Sequence, residues 1–84
     1  HEEMIEEIED GQVLINGECE VKEINRSLEL NLPEDKVTIG GLLINQLEDI
    51  PDEGTELKIG DVKLTIEEAS QRRVEKVKLE LPDN

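Results

Sequence analysis

The chain has 84 residues, enough for one small domain, and carries 23 acids against 9 bases, a formal charge of −14. It contains no Phe, Tyr or Trp, so its core must be aliphatic and, at this size, marginal. That charge repels phosphate backbones and anionic membranes, and no ring can stack on a base. Nucleic-acid binding is therefore excluded and an anionic membrane surface disfavoured, while a basic partner or loosely held divalent cations are favoured.

Residues 1–10, HEEMIEEIED, hold six acids and no Lys or Arg. Met4, Ile5 and Ile8 have helical spacing, so residues 1–9 are expected as an acidic linker or the tail of an upstream helix. The folded domain is expected over 10–81, with 82–84 as a tail. His1, at the very terminus, fits a purification-tag remnant. Val13–Ile15 reads as a short strand, and Asn16-Gly17 as a hairpin turn into a second strand near Glu18–Glu20, because both turn positions tolerate positive φ. Val21, Ile24 and Leu28 then fall on one helical stripe. Pro33 bars helix through the loop at 31–35.

Thr38 is the expected N-cap of a second helix, with Ile39, Leu42, Leu43 and Leu47 on its apolar stripe and Ile50 at its end. Gly40 and Gly41 in its first turn weaken the helix by about 1 kcal/mol each. They imply that another backbone packs close there, an approach expected at Gly41. Pro51 stops the helix, and Pro51–Gly54 forms a turn. Leu57 and Ile59 read as a strand, Gly60-Asp61 as a hairpin turn, and Val62, Leu64 and Ile66 as a strand with one buried face. After a turn at Ala69–Gln71, a strand from Arg72 to Leu81 buries Val77, Leu79 and Leu81. Val74 has the other parity, so a bulge near Glu75 is expected. The pattern β-β-α-α-β-β-β makes an α+β fold, a small antiparallel sheet with two helices packed on it.

The sequence assembles no catalytic set. His1 is the single histidine and Cys19 the single cysteine, which removes Ser-His-Asp and Cys-His chemistry, thiolate or imidazole zinc sites, and an internal disulfide. Cys19 is expected as a small buried apolar residue. No apolar run approaches the ~18 residues of a membrane span, and the acidic start does not resemble a signal peptide. The only candidate sites are acidic clusters: Glu48, Asp49, Asp52 and Glu53 around Pro51, Glu34 with Asp35, and Asp10 beside Gly11. Their carboxylates suit Mg²⁺ or Ca²⁺, but without a coordinating-loop pattern the expected binding is weak and non-specific. Arg72, Arg73, Lys76 and Lys78 form one basic patch. It reads either as a solvated strand face that blunts edge pairing or as a docking surface for an acidic partner, a second copy included.

The run Thr38-Ile39-Gly40-Gly41-Leu42, then Leu47, then Ile50-Pro51-Asp52-Glu53-Gly54, resembles the T-x-G-G-L…L-x-x-I-P-x-x-G signature of the CorC/HlyC transporter-associated domain. Asp10-Gly11, Val13-Leu14, Gly17 and Val21…Ile24-Asn25 resemble that family's front half. Arg73-Val74-Glu75-Lys76-Val77 resembles its closing R-[IV]-x-x-V strand. The match spans residues 10–79. It lacks the family's usual aromatic residues, and Ser70-Gln71 stands where glycine is common.

The resemblance implies a non-catalytic regulatory domain on the cytoplasmic side of the plasma (inner) membrane, without membrane insertion of its own. It would belong to a protein that exports divalent cations, magnesium and cobalt especially. Its implied partners are the CBS and transmembrane domains of its own parent chain, with a weak homodimer as a further expectation. The alternatives are a small-molecule sensor binding flavin or adenine nucleotide, and a cation sensor. Flavin rests on fold analogy alone.

Overall fold

The structure, a computed structural model, describes residues 4–82. Its elements are β1 (Ile5–Glu9), β2 (Gln12–Asn16), α1 (Val21–Leu28), α2 (Ile39–Leu47), β3 (Glu56–Ile59), β4 (Val62–Ala69) and β5 (Val74–Glu80). The α+β class and the order β-β-α-α-β-β-β are as the sequence predicts. The strands form one antiparallel sheet in the order β1-β2-β5-β4-β3.

The expected strand at Val13–Ile15 is present as β2, but its hairpin partner precedes it rather than following at Glu18–Glu20. The stretch read as a linker or helix tail is, from Ile5, the edge strand β1, hydrogen-bonded to β2. Its apparent helical spacing comes from a bulge: Glu7 faces Val13 and Glu9 faces Gln12, leaving Ile8 as the extra residue, 44% exposed. His1 and the start of the expected linker lie outside the described residues. The hairpin turn is Asp10-Gly11, with Gly11 at φ +78°. Asn16-Gly17 is not a hairpin turn, and Glu20 makes only an isolated bridge with Thr38.

Aliphatic rows cross the inner face of the sheet. Ile5, Ile15, Val77 and Ile66 form one, and Val13, Leu79, Leu64 and Leu57 the next. Val21 and Ile24 of α1 and Ile39, Leu42 and Leu43 of α2 close over them. Each fully buried Leu, Ile or Val adds about 1.5–3 kcal/mol, which is how a core without aromatic residues holds. The bulge near Glu75 is present and is matched by a second on β4. Ile66 faces Val77, Glu68 faces Lys76 and Ala69 faces Val74, so Glu67 and Glu75 are the extra residues. The parity change brings both Val74 and Val77 into the core.

Two side chains fix the helix connections. Leu32 N–H donates to Asn25 Oδ1 at 2.8 Å, and Asn25 Nδ2 donates to Leu32 O at 3.0 Å, seating Leu32 in the core. Thr38 Oγ1 accepts from Gly41 N–H at 3.1 Å, the expected N-cap. α2 ends at Leu47, with Glu48 left-handed at φ +62°, so the chain leaves the helix before Pro51 rather than at it.

Candidate functional site

The motif residues from Thr38 to Gly54 lie along α2 and at its two ends. At its N-terminal end the chain crosses itself backbone on backbone. Gly40 N–H donates to Gly17 O at 2.9 Å, Ile39 N–H to Cys19 O at 2.9 Å, and Gly17 N–H to Glu75 O at 2.7 Å. A Cβ on Gly17 would lie 1.9 Å from Val74 O, and one on Gly40 would lie 2.8 Å from Gly17 O. No side chain fits at either position. The close approach expected at Gly41 therefore belongs to Gly40. A Cβ on Gly41 would meet only Thr38 Oγ1, at 3.1 Å, and Lys36 Cβ, at 3.7 Å. Gly17 is the partner that sequence reasoning misassigned, because its Asn-Gly context reads as a turn.

Cys19 lies within this crossing, 3% exposed. Burial, and then the nearby Glu23 and Glu20 carboxylates, push its thiol above the ordinary value. That favours the thiol over the reactive thiolate and accords with a packing role.

At the other end of α2, Ile50–Gly54 doubles back onto β4. Gly54 N–H donates to Ile66 O at 2.7 Å, Ile66 N–H to Thr55 O at 2.8 Å, and Ala69 N–H to Glu53 Oε2 at 3.2 Å. Ile50 and Pro51 are half-buried, as is Leu47 on the helix. An open hollow of about 600 Å³ lies between this loop and the following turn, lined by Asp49, Asp52 and Glu53 on one side and Ala69, Ser70 and Gln71 on the other. Glu53 is committed to the Ala69 N–H, and Asp49 Oδ1 accepts from Ile50 N–H at 2.8 Å. Among the described residues, no three His, Cys, Asp or Glu side chains are placed to share a metal ion.

The four basic residues do not form one patch. Arg72 and Arg73 sit in the turn before β5, which begins at Val74 rather than Arg72. Arg73 pairs with Glu18 and Glu75 and thereby ties that turn to the segment after β2. Those contacts, the Glu75 hydrogen bond first and then the Glu18 charge, raise its pKa further above the ordinary arginine value. Lys76 and Lys78 lie on the sheet face away from the helices, Lys76 3.6 Å from Glu68. Because β5 is the central strand, these lysines cannot blunt an edge; β1 and β3 are the edges. No helix among the described residues is long and apolar enough to cross a membrane.

Comparison with known proteins follows the same outline. The model of the transporter-associated domain family CorC_HlyC matches residues 6–83. The chain is 37% identical over 71 residues to the UPF0053 inner membrane protein YfjD of Escherichia coli, covering 83% of this chain and 17% of that protein. It thus spans under a fifth of the length of that relative. Its fold matches a Neisseria meningitidis structure described as a putative Mg²⁺ and Co²⁺ transporter (CorC) associated region, with TM-score 0.88 and 25% identity over 94% of this chain and 99% of that one. It also matches the Xylella fastidiosa CorC_HlyC domain described in complex with Mg²⁺ and Mn²⁺, with TM-score 0.84 and 22% identity over 96% of this chain and all of that one.

Proposed function

The chain belongs to the CorC/HlyC transporter-associated domain family, and from that premise we propose that it is a non-catalytic regulatory domain of a larger membrane protein that exports divalent cations. The observation that carries this reading is the 37% identity over 71 residues to an inner membrane protein of which this chain covers 17%. The tie to magnesium and cobalt draws on the Neisseria relative's description. The domain would stand on the cytoplasmic side and act by contact with CBS and transmembrane domains of its parent. Its geometry suits that role: a rigid backbone crossing at one end of α2, and an exposed loop and turn at the other.

The test is cation flux through the full-length parent in proteoliposomes, with and without this domain. Removal is expected to change the rate of Mg²⁺ or Co²⁺ flux or its response to regulatory ligands, while the membrane domain stays folded. Unchanged flux and unchanged response would sink the proposal.

A cation role of its own is the second reading, motivated by the Mg²⁺ and Mn²⁺ complex of the Xylella domain. For this chain we propose only loose association with its scattered carboxylates, weaker than about 10⁻⁴ M, because among the described residues no three ligating side chains are placed to share an ion. Calorimetry with Mg²⁺ at physiological salt checks this, and a saturable low-micromolar isotherm would promote the sensor reading.

A further inference from the structure

The two edges of the sheet are opposite in character. β1 carries Glu6, Glu7 and Glu9 and no base, and its bulge at Ile8 breaks the ladder, so it turns away a second acidic strand. β3 reads Glu56-Leu57-Lys58-Ile59, an acid and a base two residues apart and so on one face. Ile66 N–H donates to Thr55 O at 2.8 Å. By the alternation of an antiparallel ladder, Thr55, Leu57 and Ile59 then turn their backbone groups to β4, and Glu56 and Lys58 turn theirs to the open edge. Among the described residues, no backbone hydrogen bond from outside the sheet reaches Glu56 or Lys58.

Lys58 is also poorly matched within its own sheet. It lies directly opposite Lys63 of β4, in a pair without backbone hydrogen bonds, where side chains come closest and like charges destabilise. Glu56 reaches Lys63 at 3.5 Å, whereas Lys58 makes no ion pair among the described residues. On the inner face Leu57 and Ile59 are only half-buried. The edge thus offers free backbone groups, an unpaired cation and unfinished apolar surface together. A lone lysine blunts an edge, but a lysine two residues from a glutamate on the same face complements the same strand run in reverse.

We propose that β3 is a self-pairing edge whose occupant is β3 of a second copy of this chain, antiparallel about a twofold axis at Leu57. Strands so placed set Leu57 against Leu57, and Glu56 of each copy against Lys58 of the other. Glu56 and Lys58 are also the residues with outward backbone groups, so each such pair exchanges both of its backbone hydrogen bonds. Twofold axes at the neighbouring positions would set Lys58 on Lys58 or Glu56 on Glu56, so charge selects the register centred on Leu57. The acid of the second copy then lies beside Lys58 and offsets its repulsion from Lys63. The short strand and the charge of −14 on each copy keep the contact weak, with a dissociation constant on the order of 10⁻³ M. Such an edge would serve a domain of any function, so it can hold where the regulatory reading fails.

The test is amide-resolved NMR over a concentration series up to several millimolar at physiological salt. Concentration-dependent shifts are expected at Glu56, Leu57 and Lys58, and isotope-filtered contacts between labelled and unlabelled copies at the Leu57 methyls. Lys58→Glu and Glu56→Lys should each weaken association at least about tenfold, by setting like charges opposite each other across the axis. An equimolar mixture of the two variants should restore association to the parent's level, because each then presents the other with opposite charge. Both positions are exposed, so each variant should melt close to the parent, and weakened association would not reflect unfolding. Shifts that do not depend on concentration, or that centre on β1 or the helices, would overturn the proposal. So would a mixture that associates no better than either variant alone, or Leu57 methyls without contacts between copies.

Discussion

The two ends of α2 carry the two halves of one motif and use them in opposite ways. At the N-terminal end, Thr38, Gly40 and the distant Gly17 build a crossing of three backbones with no space for a side chain. At the C-terminal end, Ile50 to Gly54 form a loop held by two backbone hydrogen bonds and the Glu53 carboxylate, with Asp52 and Glu53 exposed. The first end is determined by what must be absent and the second by what is displayed. Substitutions should therefore cost folding energy at one end and alter only surface chemistry at the other.

The sharpest break of that contrast is at Gly17. Gly17→Ala forces a Cβ onto Val74 O, a backbone atom that cannot rotate away. A loss on the order of 3 kcal/mol is expected, at the upper end of overpacking costs, and about 12–24 °C in melting temperature for a domain of this size. A thermal melt within a few degrees of the parent would show that the crossing is slack. Gly40→Ala comes next at about 2 kcal/mol, since the 2.8 Å contact with Gly17 O outweighs the gain in helix propensity of about 1 kcal/mol.

Thr38→Ala should cost about 1 kcal/mol by removing the cap on Gly41 N–H, and Thr38→Ser should recover most of it. Gly41→Ala is expected to change stability by less than about 1 kcal/mol, because its propensity gain is set against a contact with the movable Thr38 hydroxyl. A loss as large as that of Gly40→Ala in chemical denaturation would mean that the close approach extends over both glycines.

At the displayed end, Asp52→Asn should stay within about 0.5 kcal/mol, as exposed substitutions do. A larger loss would erase the difference between the ends. Cys19 gives a check that perturbs nothing: alkylation at pH 8 should be slow in the native protein and rapid in denaturant, because burial disfavours its thiolate. Fast native labelling would show that the crossing opens.

Much of the domain was legible in the sequence, because periodicity and caps act locally. The α1 stripe of Val21, Ile24 and Leu28, the Thr38 cap, the alternation of Val62, Leu64 and Ile66, and the parity conflict that demands a bulge at Glu75 all needed nothing beyond neighbours in the chain. The ordered motif from Thr38 to Gly54 was enough to suggest the family. Tertiary structure alone decided which glycine does what. Asp10-Gly11 and Asn16-Gly17 are both hairpin signals. Gly11 is the one at positive φ, with nothing within 4 Å of where a Cβ would stand, while Gly17 has no room for a side chain because Val74 and Gly40 arrive from far along the chain. The same assembly turned an apparent helix tail into β1, because β2 offered an unpaired edge and a bulge at Ile8 absorbed the spacing. It also placed β5 at the centre of the sheet, so that lysines read as protecting an edge lie instead in the middle of an open face. Local sequence encodes dihedral preference and burial parity, whereas which strands become neighbours, and where no side chain fits, depends on contacts between distant parts of the chain.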